Sequence, residues 1–321
     1  MSPHSLTAAR PDQVTEGVLA VLAGKDVDAA AAAIGVDVDD LAEAARVYQA
    51  AGLAALERRA EADWYQVRVT FADWPSAETI GAERLGPLLD DLQQGGALAG
   101  WWFLRKYPCW RLRLLQADTA AVNRRLNELA RDGAITRWRP SVYEPETAAF
   151  GGPAGMRAAH ELFCADSRGV LDYVRRAPGL GRRELSVLLI GGLLRAAGLD
   201  EFERGDVFAR VAALRPALSE ADVAHVGQLA DTVRPFLALP AHPGSGPFAP
   251  GAAAEFAAPW LAAWQEAGGQ LGAAATEGRL DRGVRALLAH VVIFHWNRLN
   301  LSARTQAVLA HAAAAAILPR S

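Results

Sequence analysis

Cysteine is scarce: Cys109 and Cys164 are the only two in 321 residues, too few for a disulfide framework. Charge of one sign is not in surplus either. Lys+Arg number 33 against 36 Asp+Glu, a formal net charge of -3, so no global positive field draws the chain to nucleic acid or to an anionic membrane. Any anion site has to be local. Long apolar runs are missing as well: the tracts Ala286 to Trp296 and Ala307 to Leu318 are interrupted by histidines and fall short of the roughly 20 residues that cross a bilayer. Pro3, His4 and Arg10 sit where a signal peptide needs an apolar core, so a reducing cytoplasm is expected. There is no Walker loop and no Gly-x-Ser-x-Gly elbow, and Gly179-Leu180-Gly181 follows no strand pattern, which removes support for nucleotide folds. His160 and Cys164 stand one helical turn apart with Glu161 between them. One His and one Cys do not close a zinc site, so both read as core side chains and no metal ligands are expected.

What is present is an ordinary globular composition, 51% hydrophobic and 21% charged, arranged in changing periods. Residues 1–60 read as a helical module: Asp37 precedes the spacing Val38, Leu41, Ala45, Tyr48 and Leu53. Helix, glycine turn and helix suggest a DNA reader, but the second helix opens with Asp39, Asp40 and Glu43, which would repel phosphate. From Asp63 the period becomes two. Strands over 64–71, 101–106, 110–115 and 135–143, with helices after the first and third, predict the order βαββαβ, a ferredoxin-like split βαβ antiparallel sheet over 61–145 with one face free to bind. Helices at 156–174, 183–197, 206–214, 220–237, 253–267, 280–296 and 302–318 then make 146–321 a helical region that completes a groove. The fold class expected is α+β. The proline- and glycine-rich stretch Pro240 to Gly251 reads as a mobile loop or lid.

The informative stretch is Trp101-Trp102-Phe103-Leu104-Arg105-Lys106-Tyr107-Pro108-Cys109-Trp110-Arg111-Leu112-Arg113. Alternation puts Arg111 and Arg113 on one sheet face and Leu112 and Leu114 on the other, and Arg68 belongs to the polar set of the first strand. Solvated strand arginines are the ordinary reading. The surrounding tryptophans favour a pocket instead.

This segment resembles the arginine-rich strand pair of the lantibiotic dehydratase SpaB C-terminal-domain family, which includes the elimination domains of lanthipeptide dehydratases and the stand-alone thiopeptide pyridine synthases. Tyr143-Glu144-Pro145-Glu146 with Phe150-Gly151-Gly152 is similar to the family's tyrosine, glutamate and Tyr-Gly-Gly tract. Glu161-Leu162-Phe163-Cys164-Ala165-Asp166-Ser167 resembles its Phe-x-x-Asp-Ser helix, and His295-Trp296-Asn297-Arg298-Leu299 its closing Asn-Arg motif. Two positions depart: Ala149 stands where glutamate-eliminating members carry arginine, and Ile293 where they carry histidine.

The resemblance implies a pyridine synthase that joins two dehydroalanines of a leader-bearing precursor in a formal aza-[4+2] cycloaddition, losing water and leader, with no redox or metal cofactor required. It implies Tyr143, Ser167 and His295 as hydrogen-bonding or proton-transferring groups. The matching plain readings are a strand-end packing residue, a helix-internal hydroxyl bonded to backbone and a buried histidine. Arg68, Arg105, Arg111, Arg113, Trp102, Glu146, Asn297 and Arg298 are expected to bind substrate, although Asn297 and Arg298 could equally tie the last helices to the sheet. The partners implied are the precursor peptide and other biosynthetic enzymes. A stand-alone glutamate-elimination subunit and a non-catalytic precursor-binding partner are the alternatives.

Overall fold

A computed structural model describes residues 11–318, apart from the side chains of 53–62. The chain forms two compact units, Met1–Ala62 and Asp63–Ser321. The first is built from α1 (Pro11–Leu22), α2 (Val27–Ile34) and α3 (Val38–Ala62). Asp26 caps α2 by accepting from the Ala29 amide, Gly35 takes the left-handed conformation that ends it, and Asp37 accepts from the Asp39 amide at the start of α3. Val18, Ala30, Ala31, Leu41 and Ala45 form its small core. Tyr48, expected on the apolar stripe, is exposed, and the Leu53 side chain lies outside the described residues.

In the second unit, strands β1 (Trp64–Thr70), β2 (Gly100–Lys106), β3 (Cys109–Leu115) and β4 (Arg137–Ser141) form one antiparallel sheet in the order β2-β3-β1-β4. With α4 (Ala77–Ile80), α5 (Gly86–Gln94) and α6 (Thr119–Arg131) this is the split βαβ arrangement. A π turn, Gly81–Leu85, links α4 to α5; it carries the apolar stripe from Ile80 to Leu85 across a spacing too wide for one α-helical turn. Strand alternation sends Tyr65, Val67, Val69, Trp101, Phe103, Trp110, Leu112, Leu114 and Trp138 to the helical face. Three polar tips confirm this face: Tyr65 donates to Asn123, Trp138 to Asn127 and Trp101 to Asp90.

The remaining helices are α7 (Gly152–Arg176), α8 (Arg182–Ala196), α9 (Glu201–Ala213), α10 (Glu220–Ala238), α11 (Ala258–Thr276), α12 (Val284–Arg298) and α13 (Ala303–Ile317). They share one core with the sheet. The helix expected at 253–267 instead starts beside Pro259 and runs on through Gly268, Gly269 and Gly272. Two of these glycines are contact points. A Cβ at Gly268 would lie 2.4 Å from the Leu193 carbonyl oxygen, and one at Gly272 2.6 Å from that of Ala197, so α11 presses directly on the backbone of α8 and its C-terminal cap. The Pro240 to Gly251 stretch is not a free loop. Phe248 is buried at 1% exposure, Gln265 donates to the Ala241 carbonyl, and turn hydrogen bonds run from Ser245 to Ala254.

Candidate functional site

The second sheet face carries two cross-strand rows. Arg68 stands opposite Arg111 on one side and Arg139 on the other, with Leu104 beyond Arg111. Gln66 stands opposite Arg113 and Ser141, with Trp102 beyond Arg113. Like charges directly opposite destabilise a sheet, and among the described residues none of Arg68, Arg111, Arg113 and Arg139 has an ion pair within 4.0 Å. The face expected to be free is covered at one end: Trp102, Gln66 and Arg113 are buried beneath side chains of α7 and α12. The Arg111–Arg68–Arg139 row stays partly or fully exposed.

Arg105 does not join that face. It stands opposite Trp110, and its guanidinium pairs with Glu78 at 2.6 Å, where Arg182 also donates twice at 2.8 Å. The reason is parity. In β2 the side chains of Trp102 and Leu104 share the arginine face, and an odd-numbered neighbour must point to the other. Burial of Arg105 and Glu78 makes this a tie between β2, α4 and α8.

Around Trp102 an aromatic wall assembles from three elements. Its ring lies 4.9 Å from Phe163 of α7, 6.5 Å from Phe294 of α12 and 6.0 Å from Tyr143, which follows β4. The Arg113 guanidinium lies 4.1 Å from the Trp102 ring and 4.9 Å from that of Tyr143. Burial lowers its pKa to about 10, and the nearby Tyr143 and Glu146 oppose that fall. Its Nε and Nη1 have no hydrogen-bond partner, nor does the buried Oε2 of Glu146. The Tyr143 hydroxyl is 2.7 Å from Nε2 of His160, whose ring packs at a tilt with its centroid 4.6 Å from that of Trp64. Burial first, and the Arg113 charge second, push His160 down to about 4. The local chain is arranged for this: Gly151 and Gly152 take positive φ, and a Cβ at Gly152 would meet the Asp281 carboxylate at 2.2 Å, so the backbone turns sharply from the Tyr143 segment into α7.

Six residues further along α7, Asp166 is a fully buried hub. It accepts from His295 Nδ1 at 2.8 Å, Arg298 Nε at 2.6 Å and Trp260 Nε1 at 2.9 Å. Burial opposes its ionisation, but the charges and hydrogen bonds of His295 and Arg298 prevail and hold its carboxyl below the usual range. The Arg298 guanidinium lies 4.4 Å from the Phe163 ring, so the hub and the aromatic wall share Phe163. Its own pKa is lowered by burial.

The structure therefore gathers Arg68, Arg111, Arg113, Trp102, Tyr143 and Glu146 on one side, and His295 with Arg298 around Asp166 on the other. Ser167 is fully buried, and its hydroxyl accepts from the Phe103 amide at 3.1 Å, capping the free edge of β2. Asn297 accepts from Gln306 at 2.9 Å, tying α12 to α13. Cys164 is a partly buried thiol pushed up to about 12, chiefly by desolvation, and no metal-ligand cluster is found among the described residues. His160, Asp166 and Trp260 were missed in the sequence. His160 and Asp166 lie six residues apart on α7; His160 read as a core side chain and Asp166 entered only within the Phe-x-x-Asp-Ser resemblance, and no signal marks Trp260.

No curated protein matches the chain in sequence. Among solved structures, TsrL aligns at 19% identity and TM-score 0.55, covering 80% of this chain and 99% of that one. TbtD, a pyridine synthase from thiomuracin biosynthesis, aligns at 13% identity and TM-score 0.53, covering 79% and 97%. The tRNA-dependent lantibiotic dehydratase MibB from Microbispora sp. 107891 aligns at 17% identity and TM-score 0.60 over 78% of this chain but only 28% of that one. These likenesses show the shared α+β fold, and no helix among the described residues is long and apolar enough to cross a membrane. The family profile described as lantibiotic biosynthesis dehydratase C-terminal matches residues 64–317, the sheet and the helices that build both clusters, and the chain belongs to that family.

Proposed function

We propose that this protein forms the central pyridine ring of a thiopeptide from two dehydroalanines of a leader-bearing precursor. The observation that carries the reading is the row Arg111, Arg68 and Arg139, in register and without carboxylate partners, running beside the wall of Trp102, Phe163 and Phe294. The exposed arginines suit a peptide with an acidic part, and the buried aromatic wall behind them gives the row a rigid backing. Alignment over nearly the full length of TbtD, a pyridine synthase, supports the reading.

In this reaction one amide adopts its iminol form, whose C=N joins a dehydroalanine alkene into a four-atom 2-azadiene. The second dehydroalanine supplies the other two atoms, and loss of water and of the leader amide leaves the aromatic ring. The protein's contribution is orientation of two remote residues and hydrogen bonding that favours the iminol. Tyr143 meets the reacting amide, Arg68, Arg111 and Glu146 hold the peptide, and the enclosed Arg113 and Trp102 back Tyr143 from within. The enclosed Ser167, His295, Asn297 and Arg298 keep β2 and α12 in place. The apolar Ile293 and the small Ala149 fit a site that releases no glutamate, and they set this reading above that of an elimination subunit.

Mass spectrometry of a dehydrated, azole-bearing precursor incubated with the protein tests the proposal. Leader release with a cyclic product is expected. Loss of glutamate from a glutamylated precursor would identify an elimination subunit, and unchanged mass of both peptides a binding partner.

A further inference from the structure

The Tyr143 hydroxyl is a hydrogen-bond donor and acceptor, and its use depends on where its proton points. His160 decides this. The two atoms are 2.7 Å apart, and the imidazole is fixed by Trp64 at 4.6 Å and Trp102 at 6.1 Å on the rigid helix α7. Of the two polarities available to the pair, O–H donating to a ring nitrogen joins the more acidic hydrogen, a phenol with a pKa of about 10, to the more basic acceptor. N–H donating to the phenol oxygen would waste both. A neutral imidazole is needed for the first arrangement, and burial together with the Arg113 guanidinium keeps His160 neutral until about pH 4.

We propose that His160 is a positioning residue which takes the Tyr143 proton into a hydrogen bond at Nε2 and so presents the phenol oxygen to the substrate as an acceptor for the iminol O–H. This rests on the pyridine-forming reading above, in which one amide moves its N–H proton to its oxygen to reach the iminol. An acceptor facing that oxygen favours the iminol, whose O–H can donate to it, whereas a hydroxyl donor there would favour the amide carbonyl. The cationic Arg113, 4.9 Å from the Tyr143 ring, stabilises negative charge building on the phenol oxygen as it accepts. No proton needs to leave the Tyr143–His160 pair, because its role is to set polarity before the bonds reorganise.

Two measurements test the pair. The first needs no substrate: side-chain 15N NMR of the protein, with His160 assigned by its loss in His160→Gln. His160 is expected as the Nδ1–H tautomer, with an Nε2 resonance that moves on Tyr143→Phe. An Nε2–H tautomer, or a resonance indifferent to Tyr143→Phe, overturns the proposal. The second is single-turnover cyclisation of the dehydrated, azole-bearing precursor. His160→Phe keeps the ring packing but has no acceptor, and should lower the rate ~10-fold or more, while His160→Gln, whose amide oxygen can accept, should stay within about threefold of wild type. In a Tyr143→Phe background neither change should matter further. Additive losses would mean that His160 acts through packing alone. If the wild-type protein cyclises nothing, the pyridine-forming reading falls, and the NMR result still decides the polarity of the pair.

Discussion

Replacing Asp166 tests how the two halves of the site are held together. The carboxylate is fully buried and accepts three hydrogen bonds, from His295, Arg298 and Trp260, on α12 and α11. Asp166→Ala removes the only anion that, among the described residues, pairs with the fully buried Arg298 guanidinium, which costs about 3 to 5 kcal/mol. It also leaves the Trp260 N–H and His295 Nδ1 without an acceptor, at about 1 to 3 kcal/mol for each such group. These terms overlap, and a loss of about 5 kcal/mol is expected, comparable with the whole stability of many domains. Asp166→Asn is the measurable variant. It keeps one oxygen acceptor and loses the charge facing Arg298, so about 2 to 3 kcal/mol should disappear. The assay is equilibrium urea unfolding followed by tryptophan fluorescence, since Trp260 and Trp264 pack edge-on against His295 of the hub. Asp166 has a folded pKa below the usual carboxylate range, so its contribution is complete above the unfolded value of about 3.9 and is lost as pH falls toward the folded one. The Asn penalty should thus be equal at pH 7 and pH 5 and shrink only in stronger acid. A penalty under about 0.5 kcal/mol, the range of surface substitutions, or one that grows as pH falls, would refute the reasoning.

Three further outcomes are expected. Arg111→Ala and Arg68→Ala should each weaken binding of a leader-bearing precursor by about 1 to 3 kcal/mol in calorimetry, more at low salt than at high. Glu78→Gln leaves the buried Arg105 and its neighbour Arg182 uncompensated, and should cost about 3 kcal/mol of stability in urea unfolding without changing precursor affinity, because that network faces away from the arginine rows. Limited proteolysis should find Pro240 to Gly251 resistant, since Phe248 pins it into the core, and Phe248→Ser should open it to early cleavage.

The local pattern of the chain was enough to place the sheet and most helices, because period-two and helical spacings are written in neighbouring residues. Arg111, Arg113 and Arg68 could be assigned to one face on parity alone, and the βαββαβ order follows from the sequence of periods. Parity could also have separated Arg105 from them. Where the packing is remote the pattern misleads: α11, expected to end at 267, continues through Gly268 and Gly272 against α8. The proline-rich stretch looked mobile because one buried phenylalanine is invisible to composition. Hydrogen-bond partners were beyond reach in principle. Asp166 meets His295 and Arg298 across about 130 residues, and Tyr143 meets His160 from a different element. Sequence determined which side chains could do chemistry and which strand face they share. Only tertiary packing decided which are buried, which charges meet, and that His160 stands against the Tyr143 hydroxyl, since burial and pairing come from chain segments with no local relation to one another.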